Sequence, residues 1–338
     1  MRFLIAGLGS IGRRHLRNLK ALGEEDILLY RSYRSTLPDD ELEGYPVETD
    51  LQAALAWRPN AVIVSNPTAM HLNVAIPAAE VGSHLLIEKP VSHSMERVSQ
   101  LAAAVQGGGG QVLVGYQFRF HPGLRITAAL LGENAIGRVL SVRAHWGEYL
   151  PGWHPWEDFR QGYSARSELG GGVILTLSHP LDYLRWLVGE IEAVWAFAGH
   201  SGDLALDVED TAEIGLKFAD GALGSVHLDY YQRPAAHCLE ITGTRGSLLW
   251  DNSDGTVRIF RVPDSRSAAN GPVQPAWEVY PAPEGFERNQ LFLSEMRHFL
   301  QMVRGEAQPL CTLDDGIQAL RLSLAALDSA QEGKLVYL

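Results

Sequence analysis

The hexapeptide GLGSIG, Gly7 to Gly12, has the spacing of a turn that cradles a pyrophosphate. In such a turn Gly7 permits the tight bend, Gly9 lets the backbone approach a phosphate, and Gly12 lets a helix pack close to a strand. Ser10 and Ile11 would then begin the helix, whose free N–H groups face the anion. At the end of the following strand a chain that binds NAD usually carries an acid for the ribose hydroxyls. Here the residues are ILLYRSYRS, with Arg31, Ser32 and Arg34 and no acid. A guanidinium beside a hydroxyl suits a 2′-phosphate, so NADP is the preferred cofactor and NAD the alternative. A solvated basic loop is the competing explanation of the same residues. A second candidate for chemistry is His179, inside LGGGVILTLSHPLDYLRWL, residues 169–187. A ring that titrates near neutral pH stands there in an apolar run, with a proline directly behind it.

The elements that must position these residues are legible as patterns. RFLIA, ILLY, AVIVS, HLLI and QVLV are short runs that are continuously apolar rather than alternating. Such runs suit strands buried on both faces, hence a parallel sheet with crossover helices. Leu16, Leu19 and Leu22 recur at helical spacing and stop at Gly23, and GGGG at 107–110 ends another helix. From about residue 138 the texture changes. RVLSVRAHWGEY, EAVWAFAG, TAEIGLKF, LGSVHLDYY, HCLEITG, GSLLWD and TVRIFRV read as strands, several of them alternating, with hairpin turns at ADG (219–221) and GTRG (243–246). This predicts a doubly wound α/β domain over 1–120 and an α+β domain with an open, mostly antiparallel sheet over 121–338. A long Pro/Ser/Gly-rich surface loop is expected over 261–288, and two helices, 289–303 and 313–331, close the chain.

Composition narrows the function. The 338 residues carry 28 Lys+Arg against 40 Asp+Glu, a net charge of −12 with no basic patch, so a nucleic-acid partner lacks its electrostatic footprint. The longest N-terminal apolar run, FLIAG, is too short for a signal sequence or a membrane span. Cys238 and Cys311 have no metal-ligand spacing and form no disulfide framework, which fits thiols in a reducing cytoplasm.

Three further pieces follow the predicted parallel strands: SNPTAMH at 65–71, EKP at 88–90 and GYQFRFHP at 115–122. Ligands of open α/β sheets bind at the carboxyl ends of strands, where all three lie. In this order, before an antiparallel domain, they resemble the glucose–fructose oxidoreductase / inositol dehydrogenase / MocA (Gfo/Idh/MocA) family of NAD(P)-dependent oxidoreductases. The resemblance extends to TLDDGIQALRLSLAALDSAQEGK near the end, and PGWHPWEDFRQGYSARSELGGG looks like a sugar-oriented branch. It implies that Asn66, Pro67, Thr68 and His71 border the nicotinamide and its ribose. It implies further that Glu88 contacts the cofactor, Lys89 reaches into the substrate pocket, and the open sheet makes a homodimer or homotetramer contact. Gln117 is taken with the cofactor residues and Arg119 as a substrate or cofactor anchor.

Lys89 has an argument of its own. When a hydride moves between an alcohol carbon and nicotinamide, a proton leaves the hydroxyl oxygen, and a cation beside that oxygen stabilises the developing alkoxide. A lysine starts near a pKa of about 10.4, so charge stabilisation and proton sharing suit it better than acting as sole base. Family members place an Asp and, one helical turn later, a His in the segment matching 170–187. The match sets Thr176 at the Asp position and His179 at the His position, as general acid/base. On one helix Thr176, His179 and Tyr183 would share a polar strip.

Two departures bear on this. Thr176 cannot polarise His179 as a carboxylate would, with Asp182 either its substitute or a cap. Pro180 disfavours α geometry at His179, so the helix kinks or begins there. The altered set leaves open a different substrate or a weakened activity. Trp153, His154 and Tyr163 belong to an aromatic stretch that suits a sugar's apolar face and hydroxyl edges, or packs for stability alone. His154, Glu157 and Asp158 do not argue for a metal, and none is expected.

Two functions are thus carried forward. One is an oxidoreductase acting on a secondary alcohol or carbonyl of a sugar, cyclitol or sugar derivative, with a non-sugar cyclic carbonyl as the enzymatic alternative. The other is a redox-silent NADP-binding sensor or partner protein, motivated by Thr176.

Overall fold

The structure, a computed structural model, describes residues 1–33, 37–155, 157–262 and 276–338. The chain forms two compact units, and each recruits distant segments. The first comprises Met1–Gln117, Trp156–Thr176 and Glu287–Arg321. The second comprises Phe118–Pro155, Leu177–Phe286 and Leu322–Leu338. A single division at residue 120 therefore captures only the first crossing of the chain.

The first unit is built on a six-stranded sheet: β1 (Phe3–Ala6), β2 (Ile27–Tyr30), β3 (Val47–Glu48), β4 (Ala61–Val64), β5 (His84–Glu88) and β6 (Val112–Gly115). All pairings are parallel and the order is β3-β2-β1-β4-β5-β6, the order of a dinucleotide-binding sheet. Every residue of β1, β4 and β6 is buried, which is why these runs are apolar without alternation. The order reverses between β1 and β4, and the loops leaving those strands hold GLGSIG and SNPTAMH. Helix Ser10–Ala21 follows β1, and the late helix Asn289–Val303 packs on it, with Arg14 lying 4.4 Å over the Phe292 ring.

The second unit carries a nine-stranded sheet: β7 (Val139–Gly147), β8 (Ile191–Gly199), β9 (Thr211–Phe218), β10 (Leu223–Asp229), β11 (Ala236–Gly243), β12 (Gly246–Asp251), β13 (Thr256–Arg261), β14 (Trp277–Tyr280) and β15 (Val336–Tyr337). The order is β14-β13-β12-β11-β7-β10-β9-β8-β15. Pairings are antiparallel except β7 with β10. ADG and GTRG are the β9–β10 and β11–β12 turns, as their sequences require. Helices Pro122–Gly132 and His179–Val188 pack on one face. The opposite face exposes Trp195, Phe197 and Leu223. The final long helix, Leu313–Glu332, contributes to both units.

Three expectations change. The 261–288 stretch contains β14, a strand too short and exposed to give a periodic signal; its residues 263–275 lie outside those described. The two-residue strands β3 and β15 had no pattern to reveal them. Residues 170–187 hold two helices, not one: Val173–Thr176 and His179–Val188. The break follows from Pro180, which has no N–H to give the carbonyl four residues back, that of Thr176.

Candidate active site

Gly7 adopts φ +97°, and a Cβ there would lie 2.4 Å from the Asn66 backbone nitrogen. A Cβ on Gly12 would stand 1.9 Å from the Gly7 carbonyl oxygen. Gly9 differs: a Cβ there meets nothing within 4 Å. Two glycines are thus required by the protein's own packing, while the third leaves open space before the first turn of Ser10–Ala21. That turn has no acidic residue and no side-chain cap, so the N–H groups of Ser10, Ile11 and Gly12 keep their capacity for an anion. These features fit a dinucleotide pyrophosphate.

At the end of β2, Arg31 is 7% exposed and its Nη2 donates to Asp39 Oδ1 at 2.8 Å, with its guanidinium 4.3 Å from the Tyr33 ring. The hydrogen bond from Arg31 holds the Asp39 carboxyl below its ordinary pKa. Ser32 is exposed. Arg34 lies outside the described residues. The basic loop is therefore not purely solvated: its first arginine is already oriented by an acid that sequence reading missed.

Beyond β4, Asn66 Nδ2 donates to the Met70 carbonyl at 3.0 Å, and the buried Thr68 starts the 3₁₀ turn Thr68–Met70 behind Pro67. His71, 1% exposed, ties two turns together, with Nε2 2.9 Å from the Asn66 carbonyl and Nδ1 2.9 Å from that of Pro90. Burial lowers its pKa against the pull of Glu88. Gly170, at φ +80°, packs against Thr68 and His93, where a Cβ would lie 3.0 and 2.8 Å from their Cβ atoms. The triple glycine of 170–172 thus lets that segment lie against the turn after β4.

β5 delivers Glu88 and Lys89. Burial would raise the Glu88 pKa, but the hydrogen bond from His15 Nε2 at 2.7 Å, with the charges of His15, Lys89 and His71, brings it below the ordinary value. Burial lowers Lys89 to about 8, against the attraction of Glu88 and assisted by Arg288. Its ammonium donates to the Thr176 carbonyl. This is the carbonyl that Pro180 leaves without a helical donor. The proline behind His179 therefore has a consequence at Lys89: it frees the acceptor that fixes the ammonium. The Thr176 hydroxyl is buried. Tyr163 belongs to the same unit, and burial raises its pKa. Gln117, 6% exposed, follows β6.

In the second unit, His179 opens its helix and is 1% exposed. Its ring meets Phe118 edge-on at 5.0 Å and Trp146 at 5.4 Å. Arg119 and Asp182 form a buried pair, with Nε at 3.0 Å and Nη2 at 2.8 Å from the carboxylate oxygens. Arg119 thus has a protein carboxylate as its partner, and Asp182 anchors the helix to the turn after β6. Trp153 stands edge-on to Tyr230 at 5.7 Å, and His154 follows it.

A parallel sheet in dinucleotide-binding order, a glycine turn open at its second glycine, and a half-buried lysine at a strand's carboxyl end define a nicotinamide-dinucleotide oxidoreductase. The family model described as "Oxidoreductase family, NAD-binding Rossmann fold" matches residues 1–116. Its companion, "Oxidoreductase family, C-terminal alpha/beta domain", matches residues 128–338. The chain belongs to the Gfo/Idh/MocA family of oxidoreductases. Among its relatives is the 1,5-anhydro-D-fructose reductase of Ensifer adhaerens, 26% identical over 280 residues, which span 81% of this chain and 78% of the reductase. The myo-inositol 2-dehydrogenase of Thermotoga maritima is 26% identical over 361 residues, covering 100% and 98% of the two chains. The structure titled levoglucosan dehydrogenase in complex with NADH and levoglucosan superposes with a TM-score of 0.86 at 21% identity, over 100% of this chain and 99% of that one. This last likeness establishes the fold.

Proposed function

We propose that the protein moves a hydride between a nicotinamide and the carbon of a secondary alcohol or carbonyl in a sugar, cyclitol or sugar derivative. When bound, the nicotinamide accepts or donates the hydride. In the oxidative direction the C–H bond breaks with its electron pair, the hydroxyl proton is released, and a carbonyl forms. Lys89 stabilises the oxyanion and shares its proton, and His179 is the candidate general acid/base. Arg119 holds Asp182 on the helix that His179 opens. The observation that carries the reading is Lys89 itself: half-buried, lowered to about 8, and tied to the Thr176 carbonyl in the unit that bears the glycine turn. The sugar and cyclitol class is favoured by the relatives, named as a reductase of 1,5-anhydro-D-fructose and dehydrogenases of levoglucosan and myo-inositol.

Arg31 and Ser32, with Arg34, favour NADP(H) over NAD(H). NADH binding more tightly than NADPH would defeat that preference. The exposed Trp195, Phe197 and Leu223 favour self-association through the nine-stranded sheet, which light scattering after size exclusion tests. The decisive assay is turnover of NADPH or NADP with a panel of sugars, cyclitols and their ketones. Activity that collapses in Lys89→Ala without loss of nucleotide affinity supports the enzyme. Tight nucleotide binding with no turnover on any compound supports the redox-silent reading that Thr176 motivates.

A further inference from the structure

Strand β7 alternates its faces: Trp146 packs 5.4 Å from the His179 ring, so His145 beside it stands on the open face of the nine-stranded sheet. β10, paired parallel to β7, sets His227 in register with His145 and Asp229 in register with Gly147. On the other side of β10, β9 sets Glu213 in register with His227. Three strands thus bring two imidazoles and two carboxylates to one spot. The His145 and His227 rings stack at 4.6 Å, and His227 Nε2 lies 3.1 Å from Asp229 Oδ2. One nitrogen of each ring and one Asp229 oxygen all lie within 4.8 Å of one another.

The surroundings hold these donors in place. Asp229 is buried, and its Oδ1 accepts the N–H groups of Tyr231 and Gln232 at 2.7 and 2.6 Å, which leaves Oδ2 facing His227. A Cβ on Gly147 would stand 2.1 Å from that oxygen, so this glycine lets the carboxylate fold across β7. On the far edge of the His227 ring, Nδ1 lies 2.6 Å from Glu213 Oε1. A carboxylate on the far nitrogen is the usual device that orients a metal-bound imidazole and raises its basicity. The Gln232 side chain hydrogen-bonds His145. Arg143 and Arg258, which border the same cavity, are each paired with an acid outside the cluster, Glu240 at 3.8 Å and Asp254 at 2.8 Å.

We propose that His145, His227 and Asp229 bind one divalent cation of the zinc class, with Glu213 orienting His227, as a clip between β7 and β10. Two imidazoles and a carboxylate suit Zn²⁺ with one position left open. Two donors on one tetrahedral ion lie about 3.3 Å apart, close to the 3.1 Å already present between His227 and Asp229. A turn of the half-buried His145 ring brings in the third donor. His145, Glu213 and His227 line an open cavity of about 430 Å³, which gives the ion a path and room for a water as fourth ligand. The clip would fasten a parallel pair whose strands have no hairpin of their own, since β8 and β9 intervene in the chain. Sequence spacing could not show this set, because 145 and 227 meet only through the β7–β10 pairing.

Untagged full-length protein, stripped with a chelator, can be titrated with Zn²⁺ by calorimetry. The expected result is one ion per chain with a Kd of about 1 μM or tighter. His145→Ala and Asp229→Asn should each weaken binding about 100-fold, and Glu213→Gln about tenfold. Zinc at about 100 times Kd should raise the Tm of the parent by about 5 °C and leave that of both ligand variants unchanged, their metal-free Tm reporting on folding. A readout that needs no variant is anomalous scattering at the zinc edge from crystals grown with zinc, which should show one peak among His145, His227 and Asp229. Binding no tighter than about 100 μM, binding that His145→Ala retains in full, or a peak only at other side chains would each overturn the proposal. None of these measurements uses turnover, so their outcome is separate from that of the oxidoreductase reading.

Discussion

Lys89 is held in the folded protein against its own solvation, and the cost can be measured by replacing it with methionine. Burial takes its pKa from 10.5 to about 8, a gap worth about 3.4 kcal/mol at about 1.36 kcal/mol per unit. The folded pKa lies below the unfolded one, so between about pH 8 and about pH 10.5 the unfolded chain binds the additional proton. Stability of the parent therefore rises with pH through that window. Below about pH 8 both states are protonated and the full cost is present; above about pH 10.5 it has vanished. Lys89→Met removes this dependence. Its stability relative to the parent should be greatest at pH 7 and should narrow by about 2–3 kcal/mol on going to pH 10. Urea unfolding of both proteins across that range measures the difference. Packing and the lost hydrogen bond to Thr176 are independent of pH and cancel from the slope. A difference that stays constant from pH 7 to pH 10 would refute a half-buried, destabilised ammonium and the oxyanion role built on it.

Gly9→Ala should leave fold stability within about 0.5 kcal/mol, since its Cβ meets nothing, yet weaken NADPH binding about tenfold or more in fluorescence titrations. Gly12→Ala should instead destabilise the fold by about 2 kcal/mol or more by urea unfolding, because its Cβ would collide with the Gly7 carbonyl. Asp39→Asn releases Arg31 and should tighten NADPH relative to NADH by about three- to tenfold; an unchanged ratio of dissociation constants would remove Arg31 from cofactor choice. Pro180→Ala restores a backbone donor to the Thr176 carbonyl, and kcat should fall about tenfold at unchanged nucleotide affinity as Lys89 loses its anchor.

What the sequence announces here is whatever is repeated or locally forced. Continuous apolar runs gave the parallel sheet, and GLGSIG gave the turn. The helix expected over 289–303 is found at Asn289–Val303 because its apolar stripe recurs every three to four residues. β3 and β15 have only two residues each and β14 four largely exposed ones, so these strands were silent. The acids were harder for a different reason. Glu295 shares a stripe with Leu291, Phe292, Met296 and Phe299, and a carboxylate among those apolar positions was the available sign of a buried acid. Asp39 and Asp182 gave no such sign, because an acid in a loop or near a helix start is ordinary until its arginine is seen across the fold.

Pro180 shows where the two kinds of information meet. That a proline ends the hydrogen-bond ladder behind it is covalent chemistry, readable from the letters HP alone. It follows with equal certainty that the Thr176 carbonyl must find a donor elsewhere, since a buried carbonyl is rarely left unpaired. Which donor answers is not local: the ammonium of Lys89 comes from 87 residues earlier in the chain, at the end of a parallel strand. Thr176 therefore anchors Lys89 through its backbone rather than its side chain. That contribution survives any substitution at 176 that keeps the helix break. Thr176→Ala should accordingly be far milder for kcat than Pro180→Ala, and the reverse order would show that the hydroxyl, not the carbonyl, is what Lys89 depends on.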